Sequence, residues 1–212
     1  MNLNMESIKA VVFDCDGVMF DTSGANEMYY NMVLSHFGKP ELTREQFVKV
    51  HMFTVQEALE YLFPELESLT PVYDFMGTMG YDQFIPHMAR EKGLKKLLAA
   101  LKEKGLIRAV ATNRTNTMQA VLNAHELEDA FDMVVTAADV EHPKPSPEQL
   151  HAIMKRYSLV PGQMLFVGDS SYDQMAAGTA GVPFIAFKNK ALEADFHVTS
   201  MARIGEIVGI KQ

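Results

Sequence analysis

Five short, almost purely apolar runs limit what this chain can fold into: residues 10–13, 107–111, 133–135, 164–167 and 183–187. They are rich in Val, Ile and Phe and do not alternate with polar residues, as strands covered on both faces read. Helical segments separate them from the second run onward. In residues 91–104, Leu94, Leu97, Leu98 and Leu101 recur at i, i+3, i+4, i+7, and Gly105 follows as a stop. Residues 117–125 form another segment, and Ser146-Pro147 opens a third, with serine as N-cap and proline at the first helical position. This alternation predicts a parallel sheet with right-handed crossovers.

The stretch between the first two runs departs from that rhythm. Residues 23–88 hold only helical patterns, with Thr43/Gln46 and Thr54/Glu57 at capping-box spacing and Pro64 and Thr70-Pro71 as punctuation. About 65 residues is far too long for a strand-to-helix connection, which takes about two to six. The prediction is an α/β fold: a Rossmann-like parallel sheet flanked by helices, with a small inserted helical cap domain. The core is 1–21 and 89–212, the cap 22–88, and the hinges fall near 21–24 and 85–90. Of the 15 methionines, Met28, Met32, Met52, Met76, Met79 and Met88 are expected to fill the helical core.

Composition removes several function classes. One cysteine excludes an intrachain disulfide framework and any multi-cysteine zinc or iron–sulfur site. A net charge of −8 is a poor footprint for nucleic-acid phosphates. No apolar stretch approaches a membrane span, and the first residues lack the basic and apolar regions of a signal peptide. A cytoplasmic, soluble protein is expected, with monomer as the default state.

Ligands of open parallel sheets bind beyond the carboxyl ends of the strands. Asp14-Cys15-Asp16-Gly17 follows the first run, Thr112-Asn113-Arg114 the second, and Gly168-Asp169-Ser170 the fourth, with Asp173 one helical turn on. Lys144 lies in the loop after the third run. Asp14 and Asp16 share one side of an extended backbone, and two such carboxylates call for a hard dication. Asp169 adds a third carboxylate. Oxygen ligands without histidine or thiolate point to Mg²⁺ rather than zinc. Thr112 and Lys144 suit phosphate oxygens.

Blander readings exist for each residue. An EF-hand would need an oxygen ligand at Val18 and glycine at Met19. A receiver-type phosphoacceptor would not need Asp16. Cys15 points away from its neighbours and reads as a small buried hydrophobe. Thr112 and Asn113 suit a strand terminus, and Lys144 alone suits a solvated surface. Arg114 would meet either a second anionic group of a substrate or an acidic neighbour. His36, His87, His125, His151 and His197 lack metal-ligand spacing and read as surface or packing residues, while His142 would shape the Lys144 loop.

Taken together, FDCDGV, ATNRT, the Lys144 loop and VGDSSYD resemble the four motifs of the haloacid dehalogenase superfamily, over residues 11–187. The insertion after the first motif resembles the branch containing phosphoglycolate phosphatase and β-phosphoglucomutase. The resemblance implies Asp14 as nucleophile and Asp16 as acid and base. It implies Mg²⁺ held by Asp14, the Asp16 backbone carbonyl and Asp169, with Asp173 behind the ion or orienting Lys144. Thr112, the Asn113 amide, Lys144 and Arg114 would bind the substrate. The expected function is Mg²⁺-dependent hydrolysis of a small phosphate monoester metabolite, phosphoglycolate- or sugar-phosphate-like, through an aspartyl-phosphate. The alternatives are a phosphomutase and a non-catalytic phosphate-binding regulator. Mutases of this branch resemble the chain but place a histidine early in the lid, where Asn26 stands. Asp16 argues against dehalogenation. Selectivity would come from His51, Phe53, Thr54 and Gln56 in the insertion, and Lys49 is the candidate for the Schiff-base lysine of a phosphonatase.

Overall fold

The computed structural model describes residues 5–51, 53 and 55–210. Met52 and Thr54, and with Thr54 the second capping box, lie outside the described residues. The element order is β1 (Ala10–Phe13), β2 (Phe20–Asp21), α1 (Ser23–His36), α2 (Arg44–Val50), α3 (Val55–Leu62), α4 (Thr70–Met79), β3 (Ala89–Arg90), α5 (Leu94–Glu103), β4 (Ile107–Ala111), α6 (Met118–Ala124), β5 (Met133–Val135), α7 (Glu148–Tyr157), β6 (Met164–Gly168), α8 (Ser171–Ala180), β7 (Phe184–Phe187), β8 (Phe196–Val198) and α9 (Met201–Ile207). The chain divides into two compact units, one of residues 1–21 and 90–212, the other of residues 22–89.

The first unit is built on a six-stranded sheet in the order β5-β4-β1-β6-β7-β8, with β2 and β3 forming a separate two-stranded sheet. All pairings in the six-stranded sheet are parallel. β1 is central, with Ala10 opposite both Ile107 and Met164. Every residue of β1 is buried, which explains why its sequence does not alternate. Ala10 and Val12, with Ala109 and Ala111 of β4 and Phe166 of β6, join Leu150 and Ile153 of α7 and Ala176 and Ala177 of α8 in one core. Val11 and Phe13 point to the opposite face. The four leucines predicted to form the apolar stripe of α5 are all buried. This is the predicted fold class.

The sequence missed β8, an edge strand whose central His197 is exposed and breaks the apolar run. It also placed the start of α7 too early. The helix begins at Glu148, because the Ser146 amide closes a turn on the Pro143 carbonyl (3.0 Å) and its hydroxyl meets Glu148 Oε1 (3.4 Å).

One polar contact at the amino edge of the sheet carries a pH prediction. Arg108 donates from Nε and Nη2 to Asp132 (3.0 and 2.7 Å), and its amide adds a third bond (2.8 Å). Burial works to raise the Asp132 pKa, but these bonds outweigh it and hold the carboxyl below its ordinary value. A depressed folded pKa means the stabilisation is complete above the ordinary value of 3.8 and is lost as pH falls through the lower folded one. Asp132→Asn is expected to cost about 1 kcal/mol at pH 7. Denaturant midpoints of the two proteins should converge as the pH is lowered below 3.8 and through the folded value; a constant gap would contradict the assignment.

The second unit is helical. Thr43 caps α2 in a reciprocal box with Gln46, as the spacing predicted. Tyr30, Val33, Leu34, Val50, Leu59, Leu62, Phe63 and Val72 form its core. Met76 and Met79 pack against it and Met88 is buried, whereas Met28 and Met32 lie exposed. These two stand one turn apart on α1, on the side turned away from Tyr30, Val33 and Leu34. His36 stacks on Phe75, with ring centres 3.6 Å apart.

Candidate active site

β1 stays in register one residue beyond its end, where the Asp14 amide donates to the Val167 carbonyl (2.9 Å). The chain then turns back at Gly17, whose amide donates to Phe20 (2.8 Å) and whose φ is +77°. A side chain at 17 would be strained by that φ, and its Cβ would fall 2.0 Å from Asp169 Oδ2. Glycine therefore lets the first loop close against the carboxylate delivered by β6.

The loop after β6 is organised by a capping box. Ser170 caps α8, accepting from the Asp173 amide, while Asp173 Oδ2 accepts from the Ser170 amide (3.0 Å) and hydroxyl (2.5 Å). This leaves Asp173 Oδ1 for Lys144 Nζ at 2.6 Å. The same ammonium donates to Asp14 Oδ1, also at 2.6 Å. Lys144 is only 5% exposed and Asp173 wholly buried, so the solvated-surface reading of Lys144 does not hold. One carboxylate oxygen from each of Asp14, Asp169 and Asp173 lies within 4.8 Å of the others. Asn189, two residues past β7, steadies the group by donating to the Asp169 carbonyl (2.8 Å).

Electrostatics follow from this crowding. Burial pushes the Asp14 carboxyl well up; Lys144 opposes the shift, and Asp173, Asp169 and Asp16 reinforce it. Asp169 is pushed up to about 7, chiefly by burial and then by Asp173. Burial alone would lower the Lys144 pKa, but Asp14 and Asp173 overcome it and hold the ammonium above the usual lysine value. Cys15 is buried, and burial raises its thiol. Three carboxylates against one ammonium leave two negative charges when all are ionised. That is the charge of one divalent cation, and an all-oxygen donor set suits a hard one.

The remaining predicted residues occupy the neighbouring strand end. Thr112 is buried, its amide donates to the Val135 carbonyl (3.0 Å), and its hydroxyl accepts from the Arg114 amide (3.2 Å). Asn113 Nδ2 donates to the Lys144 carbonyl (2.8 Å), tying the two loops together. Asp16 does not join the carboxylate cluster. Its side chain takes a two-pronged bond from Arg114, Nε at 2.8 Å and Nη2 at 2.6 Å. Arg114 also reaches the Thr117 hydroxyl (3.1 Å). Of the two partners expected for Arg114, the acidic neighbour is the one seen. His142, in the Lys144 loop, bonds Glu148 at the start of α7 (2.8 Å).

In the helical unit, Phe53 meets the Tyr61 ring edge-on, and Gln56 bonds Glu60 (2.9 Å). Lys49 lies 5.4 Å from the Tyr61 ring centre and His51 5.3 Å from that of Phe47. Sequence reasoning named Ser170 at its strand end without giving it a role, and passed over Asn189 and Gln149. Asn189 had a signal, standing two residues past an apolar run.

Among the described residues, no helix is long and apolar enough to cross a membrane. A family model for haloacid dehalogenase-like hydrolases matches residues 11–187. The chain is 26% identical to pyrophosphatase PpaX of Bacillus velezensis, over 96% of this chain and 98% of that one. It is 28% identical to phosphoglycolate phosphatase of Escherichia coli O157:H7, over 85% and 81% of the two chains. The crystal structure of a subfamily IA hydrolase from Geobacter sulfurreducens superposes with a TM-score of 0.85, at 36% identity over 96% and 97% of the chains. A parallel sheet carrying these motifs at its strand ends is thus matched by family, relatives and fold alike, and the chain is an enzyme of the haloacid dehalogenase-like hydrolase family, among relatives named as phosphatases.

Proposed function

We propose that this enzyme is a Mg²⁺-dependent phosphatase acting on a small phosphate monoester through an aspartyl-phosphate. The observation that carries the reading is the buried Asp14–Lys144–Asp173 arrangement with Asp169 beside it. Asp14 Oδ1 is bound by Lys144, and its other oxygen attacks phosphorus in line with the leaving oxygen. Lys144 uses two of its three N–H groups on Asp14 and Asp173, and the third serves a phosphoryl oxygen. The Thr112 hydroxyl and the Asn113 amide supply further donors to that group. Asp16 protonates the leaving oxygen and later takes a proton from the hydrolytic water, once Arg114 yields its carboxylate.

Asp14 and Asp169, with the Asp16 carbonyl, would hold Mg²⁺, and Asp173 would keep Lys144 in place behind them. When bound, the ion supplies charge neutralisation for an anionic substrate. The helical unit (22–88) is assigned the role of a cap that selects the substrate, with His51, Phe53 and Gln56 as the selecting residues. Asn26 Oδ1 accepts from the Tyr81 hydroxyl (3.0 Å), a packing bond inside that unit that gives no support to the mutase alternative.

p-Nitrophenyl phosphate tests the reaction class. Turnover is expected with Mg²⁺, to fall by about a hundredfold or more on chelation, and to return when Mg²⁺ is restored. Equal rates with and without chelator would remove the metal from the proposal. A panel of about 100 phosphorylated metabolites would then identify the substrate, because small contact changes alone separate candidates by about 10- to 200-fold.

A further inference from the structure

The turn after β4 is held from behind by a residue with no place in the chemistry above. Gln149, the second residue of α7, is fully buried, and its Nε2 donates to the Thr112 carbonyl at 2.7 Å. The peptide joining Thr112 to Asn113 is trans, since the Lys144–Pro145 bond is the only cis peptide among the described residues. In a trans peptide the carbonyl of one residue and the N–H of the next lie in one plane and point in opposite directions. Fixing the Thr112 carbonyl toward α7 therefore aims the Asn113 N–H away from α7. That N–H donates to no group among the described residues, whereas its two neighbours are used, Thr112's in the sheet and Arg114's on the Thr112 hydroxyl.

The other half of the Gln149 amide limits what the residue contributes to stability. Its Oε1 is buried and has no hydrogen-bond partner among the described residues. Turning the amide over would only set that oxygen against the Thr112 carbonyl, two acceptors face to face. A buried unmet acceptor is unfavourable; an apolar side chain of similar volume would remove it but would leave the Thr112 carbonyl without its donor, exchanging one unmet acceptor for another. What glutamine alone adds is the donor.

We propose that Gln149 is a positioning residue that locks the Thr112–Asn113 peptide plane, so that the Asn113 amide is presented to the transferring phosphoryl group. The proposal rests on the phosphatase reading and extends it to a side chain that touches no substrate. The test uses the full chain with Mg²⁺ and p-nitrophenyl phosphate, comparing wild type with Gln149→Met and Gln149→Glu. Gln149→Met removes the unmet acceptor but leaves the Thr112 carbonyl without its donor. With one unmet acceptor exchanged for another it is expected to melt close to wild type, yet to lose about 10- to 100-fold in kcat/KM, below the full loss of an oxyanion donor because the amide is misaligned rather than deleted. Inhibition by inorganic phosphate should weaken in parallel. Gln149→Glu, which sets a carboxylate against the carbonyl, should lose at least as much activity. If Gln149→Met does not fold, Gln149→Leu takes its place.

A folded variant with kcat/KM and phosphate inhibition within twofold of wild type would overturn the positioning role and leave the phosphatase reading intact. So would a lowered melting point with unchanged kinetics per folded molecule. A wild-type protein that hydrolyses no phosphate ester would instead overturn the phosphatase reading, and this role with it.

Discussion

Asp14→Asn is expected to lower kcat/KM on p-nitrophenyl phosphate by about a thousandfold or more, because only binding and positioning survive loss of the nucleophile. The fold should tolerate the change. Asparagine keeps the volume and an oxygen for Lys144 Nζ, which retains Asp173 as its charged partner. It also carries no charge to bury, which offsets the weaker bond to Lys144, so stability should stay within about 2 kcal/mol of wild type. The discriminating measurement pairs a denaturant midpoint with a single-turnover assay for a phosphorylated enzyme. Wild type should show phosphate on the protein when acid-quenched at early times, released by hydroxylamine as an acyl phosphate is, and the variant none. Turnover surviving the substitution would move the nucleophile elsewhere.

Lys144→Met should be costly in a different way. It leaves Asp14 and Asp173 buried and facing each other without their shared cation. Breaking a buried ion pair from one side typically costs about 3–5 kcal/mol, most of it the uncompensated charge. Both activity and stability are therefore expected to fall. A second substitution, Asp173→Asn, should return much of the stability by removing one of the stranded carboxylates, while activity stays low. That separation identifies the lysine as both an electrostatic keystone and a substrate contact. If Lys144→Met alone were as stable as wild type, the buried triad would not be the balanced unit described above. Recovery of activity along with stability in the double variant would remove Lys144 from phosphoryl binding.

These two residues mark the range of what could be read in advance. Asp14 was legible because it directly follows an apolar run that is central in the sheet, and strand ends are where ligands bind. Lys144 was legible as a candidate by its loop, but not as a buried residue. Its burial depends on two carboxylates, 130 and 29 residues away in sequence, that only the folded sheet brings to it. Asp173 could be placed one turn after Asp169, and its division of labour comes from a local Ser170 cap that the sequence displays as S-x-x-D. Asp16 is the opposite case. Alternation put it beside Asp14, whereas Arg114, reaching from another strand end, takes its carboxylate out of the cluster. Gln149 could not have been found by pattern, since it lies in an ordinary amphipathic helix and matters only through a peptide plane two strand-ends away in the chain. The sheet was legible in its five apolar strands and not in β8, where an exposed histidine dilutes the signal.

The central place of β1 has a consequence for how the protein is made. Its two hydrogen-bonding neighbours, β4 and β6, begin at Ile107 and Met164, so both emerge from the ribosome long after β1 itself. The helical segment 22–89 is complete before either arrives, and its contacts are local enough to form early. During synthesis, then, an apolar strand waits with both edges unpaired while the next folding unit finishes behind it. That interval is when a nascent copy is most open to pairing with the wrong strand or to chaperone capture.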